Sequence, residues 1–120
     1  PNDVKALANH AKALGLEVLL ELHAESELEH LCKTIELVGI NNRNLKTFEV
    51  DVEQSLRMAA LLPNSMVKIA ESGIQSVEEI MRFRDHGFRG FLMGERFMKQ
   101  QDPGIAFAEF MKTYQQKRCV

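Results

Sequence analysis

What this chain lacks narrows its class before any motif is considered. It has no excess of positive charge: 15 basic residues stand against 17 acidic ones, a formal net charge of −2. No basic field therefore draws it to a nucleic-acid backbone or an anionic membrane. No apolar stretch approaches the roughly 20 residues that a bilayer crossing needs. The opening Pro1-Asn2-Asp3-Val4-Lys5 has no apolar h-region of the kind a secretory signal carries. Cysteine is scarce: Cys32 falls in a helical stretch and Cys119 at the extreme C-terminus, which suits a free, reduced, cytoplasmic pair. His10, His30 and His86 have no ligand partners at useful spacing, so no metal site and no cofactor are expected. With no linker or low-complexity segment to divide it, the sequence 1–120 reads as one unit, ample for one domain and too short for two.

What is present is a series of short apolar runs, each ending abruptly in polar residues or glycine. The first helix is expected over Asp3–Leu14, where Val4, Leu7, Ala8, Ala11 and Leu14 share a face and Gly15 gives the stop. Glu17–His23 reads as a buried strand. A second helix is expected from Ser26, capped with Glu29, through Leu28, Leu31, Cys32 and Ile35. The next strand spans Leu37–Ile40, followed by a helix over Val52–Leu62 that Pro63-Asn64 ends. Met66–Ala70 is the third strand, Ser76 and Glu79 open the following helix, and Gly90–Met93 is the fourth strand. The last helix starts near Asp102-Pro103-Gly104, with Ile105, Phe107, Ala108, Phe110 and Met111 available to bury.

Strict alternation of strand and helix predicts a parallel α/β sheet with right-handed crossovers. A complete (β/α)8 barrel, or TIM barrel, typically runs to about 250 residues; four strand–helix pairs after one helix amount to half of it. An open doubly wound sheet would carry a glycine-rich fingerprint after its first strand, and His23-Ala24-Glu25-Ser26 is not one. Half a barrel has unpaired strand edges and an apolar inner face, so self-association or pairing with the missing half is expected.

The polar strand endings are where chemistry is expected, since barrel active sites lie at the C-terminal ends of the strands. If Glu21 points inward, Leu19 and His23 do too, while Leu20 and Leu22 meet the helices. A carboxylate in a barrel mouth is partly desolvated and suited to proton transfer; a structural glutamate paired with a basic neighbour is the alternative. Asn41 ends the second strand on the inward side and Arg43 follows, an amide that can orient a partner and a guanidinium that clamps carboxylate or phosphate. Asn42 and Asn44 read as turn formers, and Lys46 and Lys68 as solvated. Glu71-Ser72-Gly73 and Gly94-Glu95 close the last two strands, and loops after those strands of such barrels frequently bind phosphate.

At these residues the chain resembles the indole-3-glycerol phosphate synthases. The resemblance runs through Leu16-Glu17-Val18-Leu19-Leu20-Glu21-Leu22-His23, Gly39-Ile40-Asn41-Asn42-Arg43-Asn44-Leu45-Lys46-Thr47-Phe48, Ala70-Glu71-Ser72-Gly73-Ile74, and Met93-Gly94-Glu95-Arg96-Phe97-Met98 with Asp102-Pro103-Gly104. It implies the C-terminal half of a lyase that closes and decarboxylates a phosphorylated small molecule, 1-(2-carboxyphenylamino)-1-deoxyribulose 5-phosphate, in tryptophan biosynthesis. It further implies that Glu21 is the general base on the family's fifth strand, Asn41 and Arg43 the substrate-orienting pair on the sixth, and Glu71 with Ser72 the polar group on the seventh. Gly73, Gly94 and Glu95 would supply phosphate-binding backbone. The family's general-acid lysine on the third strand, and a glutamate and lysine on the first, have no counterpart in a chain that begins at the fourth helix. The expectation is a chain inactive by itself. A non-catalytic phosphate-binding or assembly module is the alternative. Arg96-Phe97 departs from the family, many of whose members carry smaller residues there.

Overall fold

The structure, a computed structural model, describes residues 2–43, 47 and 50–118. The turn former Asn44, the solvated Lys46 and the thiol of Cys119 expected above lie outside the described residues. The chain runs α1 (Asn2–Ala13), β1 (Leu19–Leu22), a 3-10 helix (Glu25–His30), β2 (Leu37–Asn41), α2 (Val52–Ala60), β3 (Val67–Glu71), α3 (Val77–Asp85), β4 (Phe88–Leu92), α4 (Glu95–Met98) and α5 (Pro103–Arg118). The strands form one 4-stranded sheet in the order β1-β2-β3-β4, every pair parallel. This is half of a (β/α)8 barrel, with β1 and β4 at the open edges.

Register and alternation separate the two faces. Leu22, Val38, Ile40 and Ala70 are fully buried against the helices, where they join Leu56, Ile80 and Phe83 in the core; each of these side chains larger than alanine contributes roughly 1.5–3 kcal/mol through its apolar area. Phe83 packs edge-on against Phe88 at a centroid distance of 5.0 Å. The opposite face carries Leu19, 41% exposed, and Leu92, 49% exposed, which is the orientation expected if Glu21 points inward.

Helix starts follow local chemistry. Asp51 caps α2 by accepting from the Gln54 N–H at 3.0 Å. Ser76 Oγ accepts from the Glu79 N–H at 3.3 Å while the Glu79 carboxylate accepts from the Gln75 N–H at 2.8 Å. In α5, Asp102 accepts from Ile105 N–H at 3.1 Å and Pro103 takes the first helical position.

Several expectations are corrected. The segment after β1 is a 3-10 helix of 6 residues without a side-chain cap at its start, not an α-helix running to Ile35. A 3-10 helix rises about 2.0 Å per residue against about 1.5 Å for an α-helix, so it covers more of the return path to the start of β2. The Glu27 carboxylate takes the His23 N–H at 2.7 Å, and Leu31 then turns extended. Lys68 is not solvated but 6% exposed, because alternation puts it on the helix-facing side with Ala70. Its Nζ lies near the Gly87 turn, the long stem buried beneath it. The terminal helices bury less than their sequences offer: Ala8 is the one buried residue of α1 and Phe110 of α5, while Ile105 and Phe107 are exposed. Helix α4, not expected from the sequence, fills the connection after β4.

Candidate active site

A cavity of about 480 Å3 opens at the C-terminal ends of the strands, lined by Glu21, Asn41, Glu71, Ser72, Gly73, Gly94 and Glu95 together with Ile74, Gln75, Leu92, Met93 and Arg96. Every candidate site residue from the sequence is in that lining except Arg43, which reaches its rim through Glu95. Register explains the convergence. Glu21 pairs with Gly39, Asn41 with Glu71, and Glu71 with Leu92, so inward positions on neighbouring strands fall into layers.

Three hydrogen-bonded arrangements hold the polar groups. Asn41 is the hinge of the first: its Nδ2 donates to Glu21 Oε1 at 2.8 Å, and its Oδ1 accepts from the Arg43 N–H at 2.9 Å. The Glu21 carboxylate also lies 3.5 Å from His23 Nε2. In the second, the Arg43 guanidinium reaches across β3 to Glu95 at 3.0 Å, and Lys99 meets the other oxygen of the same carboxylate at 2.9 Å. The hydrogen bonds from Lys99 and then Arg43 hold Glu95 below the ordinary carboxylate range. The third is built on Asn42, only 3% exposed. Its amide donates to the Ser72 carbonyl at 2.9 Å, its N–H to the Glu71 carbonyl at 2.8 Å, and its own carbonyl accepts from Asp51 N–H at 2.8 Å.

Asn42 is thus not a simple turn former but the tie between the loops after β2 and β3. Its parity could have revealed this: with Asn41 facing the mouth, Asn42 must face the buried side, and a buried amide seeks partners, which its Nδ2 finds and its Oδ1 does not. The loop that it ties is strained. Ser72 has φ 66° and Gly73 φ 68°, and a Cβ on Gly73 would lie 2.7 Å from Val50 Cγ1. Glycine at 73 is therefore required by backbone conformation and by the close approach of Val50.

Glu71 is the most confined of the carboxylates at the mouth, 8% exposed. Its carboxylate lies over Gly39, in space that any Cβ on that residue would take, and its Oε2 has no hydrogen-bond partner. Burial first, and the Glu21 charge second, push its pKa up from the ordinary 4.5, against a smaller lowering by His23. Two of the mouth's carboxyls, Glu21 and Glu71, therefore differ in their confinement. Glu21 is the more open and is oriented by an amide; Glu71 is enclosed, holds its proton longer than an ordinary carboxyl, and keeps an unpartnered oxygen tucked over Gly39. Among the described residues, no group of His, Cys, Asp and Glu could hold a metal ion, and no helix is long and apolar enough to cross a membrane.

Comparison with known proteins agrees with this geometry. The sequence profile of the indole-3-glycerol phosphate synthase family matches residues 1–110. The chain is 51% identical over 109 residues to the indole-3-glycerol phosphate synthase of Bacteroides thetaiotaomicron, covering 91% of this chain and 42% of that protein. It is 46% identical to that of Polynucleobacter necessarius, covering 90% and 41%, and 48% identical to that of Acinetobacter baylyi, covering 88% and 40%. The chain spans about two fifths of the length of the curated relatives that it matches. It belongs to the indole-3-glycerol phosphate synthase family.

Proposed function

We propose that this chain supplies the C-terminal part of the active site of an indole-3-glycerol phosphate synthase, and that the complete barrel closes and decarboxylates 1-(2-carboxyphenylamino)-1-deoxyribulose 5-phosphate. The observation that carries the proposal is the convergence of the Glu21–Asn41 pair, the enclosed Glu71 and two glycine-containing loops on a single cavity. In this scheme Glu21 is the general base, held by the Asn41 amide. Asn41 and Arg43 orient the substrate. Glu71 is a catalytic polar group whose carboxyl, its pKa raised by burial, exchanges a proton with a substrate group, and Ser72 touches the substrate beside it. The phosphate lies against the backbone of Gly73, Gly94 and Glu95, where a Cβ on Gly94 would meet nothing within 4 Å, leaving room for close approach.

The chain alone carries only part of this constellation. The open edges of β1 and β4 and the exposed inner face support pairing with the rest of the barrel or with a second copy. The test is complementation: the purified chain, with and without a separately produced N-terminal segment of the Bacteroides thetaiotaomicron relative, is assayed for formation of indole-3-glycerol phosphate. Activity is expected only from the mixture and is expected to vanish with Glu21→Gln. Turnover by the chain alone, or activity that survives Glu21→Gln, would overturn the assignment. Light scattering is expected to show a dimer or larger species when the chain is alone; a monomer across the whole concentration range refutes that part.

A further inference from the structure

A second hollow, of about 380 Å3, lies between the start of α3 and helices α4 and α5, and Gln75 and Arg96 form the wall that it shares with the cavity at the strand ends. Arg96 is held in that wall by its ring contact, with Cζ 5.3 Å from the Phe110 centroid. Its Nε is buried and has no hydrogen-bond partner among the described residues. A buried guanidinium N–H without an acceptor is costly, so the wall lacks an acceptor that a ligand can bring.

The surrounding charges say where that acceptor comes from. Arg43 Nε also lacks a partner, but the Arg43 and Lys99 charges are already paired with Glu95, whereas Arg96 forms no ion pair with a described carboxylate. Glu21 and Glu71 disfavour an anion beside them, whereas on the Gly94–Arg96 side the Glu95 carboxylate is already neutralised by Arg43 and Lys99. We propose that Arg96 is an additional phosphate ligand, donating from Nε to a phosphate oxygen of the substrate; this rests on the phosphate position given under the proposed function. The planar fork of arginine suits a phosphate oxygen pair, and the stacked ring below it reduces the freedom lost on binding.

The experiment is a titration of the isotope-labelled chain with glycerol 3-phosphate, followed through the backbone amides of Gly73 and Gly94 and the side-chain Nε–H resonance of Arg96. All three are expected to move together and to saturate. Arg96→Gln is expected to weaken binding about tenfold, Arg96→Lys less, and Arg89→Gln, on β4 but outside the lining of both hollows, not at all. If Gly73 and Gly94 respond and Arg96→Gln binds like the parent, Arg96 is not a ligand while the phosphate position stands. If Gly73 and Gly94 stay flat, the phosphate position is wrong and the inference falls with it. Movement of the Arg96 Nε–H alone places the anion in the second hollow and likewise overturns the proposal. The parent titration keeps the test decisive should Arg96→Gln fail to fold.

Discussion

The two faces of this sheet are made from alternate residues of the same strands, yet they meet opposite demands. The helix-facing residues Leu22, Val38, Ile40 and Ala70 are removed from water completely, whereas Leu19 and Leu92 on the inner face stay nearly half exposed. The outer face is satisfied within the chain. The inner face keeps its apolar area open and its carboxyl groups close together, as a surface does when another part of a barrel is to cover it. Stability should therefore depend on the outer face, and function on the inner one.

The largest test of that division is Phe83→Ala. This ring is fully buried beneath β4, and its truncation should cost about 3–5 kcal/mol in urea unfolding, enough to unfold a marginal chain. A loss under about 1 kcal/mol would mean the outer face is not the core. Next comes the strained tie between loops. Gly73→Ala places a Cβ against Val50 at a left-handed φ and should cost about 1–3 kcal/mol, and Asn42→Ala should cost a similar about 1–3 kcal/mol by orphaning the Ser72 carbonyl. Thermal melts of both, compared with the parent, measure this.

Glu71→Gln should act in the other direction. Because the folded pKa is raised above 4.5, the folded chain holds the proton longer than the unfolded one, and stability falls as pH rises from that value through the folded pKa. The glutamine variant should therefore melt higher than the parent at pH 7, with the advantage fading below pH 4.5. An advantage independent of pH would show that ionisation of Glu71 is not its source. The smallest effect belongs to Leu19→Ser and Leu92→Ser, each expected to change the stability of a dilute, monomeric sample by less than about 0.5 kcal/mol. The same changes should weaken any self-association detected by light scattering. A large loss of monomer stability from either would erase the distinction between the faces.

Strand positions, the inward set Leu19, Glu21 and His23, and the clustering of Glu21, Asn41, Glu71 and the glycine loops were legible because alternation and strand endings are local signals. What escaped depends on the third dimension. The capping pattern at Ser26 and Glu29 matches a helix start, but the return path to β2 and the Glu27 carboxylate bound to His23 N–H favour a 3-10 turn. Lys68 resembles any flanking lysine until its register against Val38 and Phe88 is known. In α5, apolar residues lie on several sides, so sequence alone could not select Phe110 as the buried one. The tie made by Asn42 and the placement of Arg96 needed contacts to residues far along the chain, Ser72 and Phe110.

The resting place of the Glu71 side chain has a consequence for how such a mouth can change. The pocket that receives its carboxylate is made by what β2 omits, a side chain at Gly39, so two positions on different strands specify one atomic arrangement. An alanine at 39 obstructs only the far end of a flexible side chain, which can swing away, and the fold should tolerate it. The acid would then point elsewhere, with more water around it and a proton that leaves earlier. Substitutions at 39 and 71 are accordingly one inherited choice rather than two, and a double-mutant cycle between them should be strongly non-additive. The acidity of this group is thus tuned from the neighbouring strand without any change to the group itself.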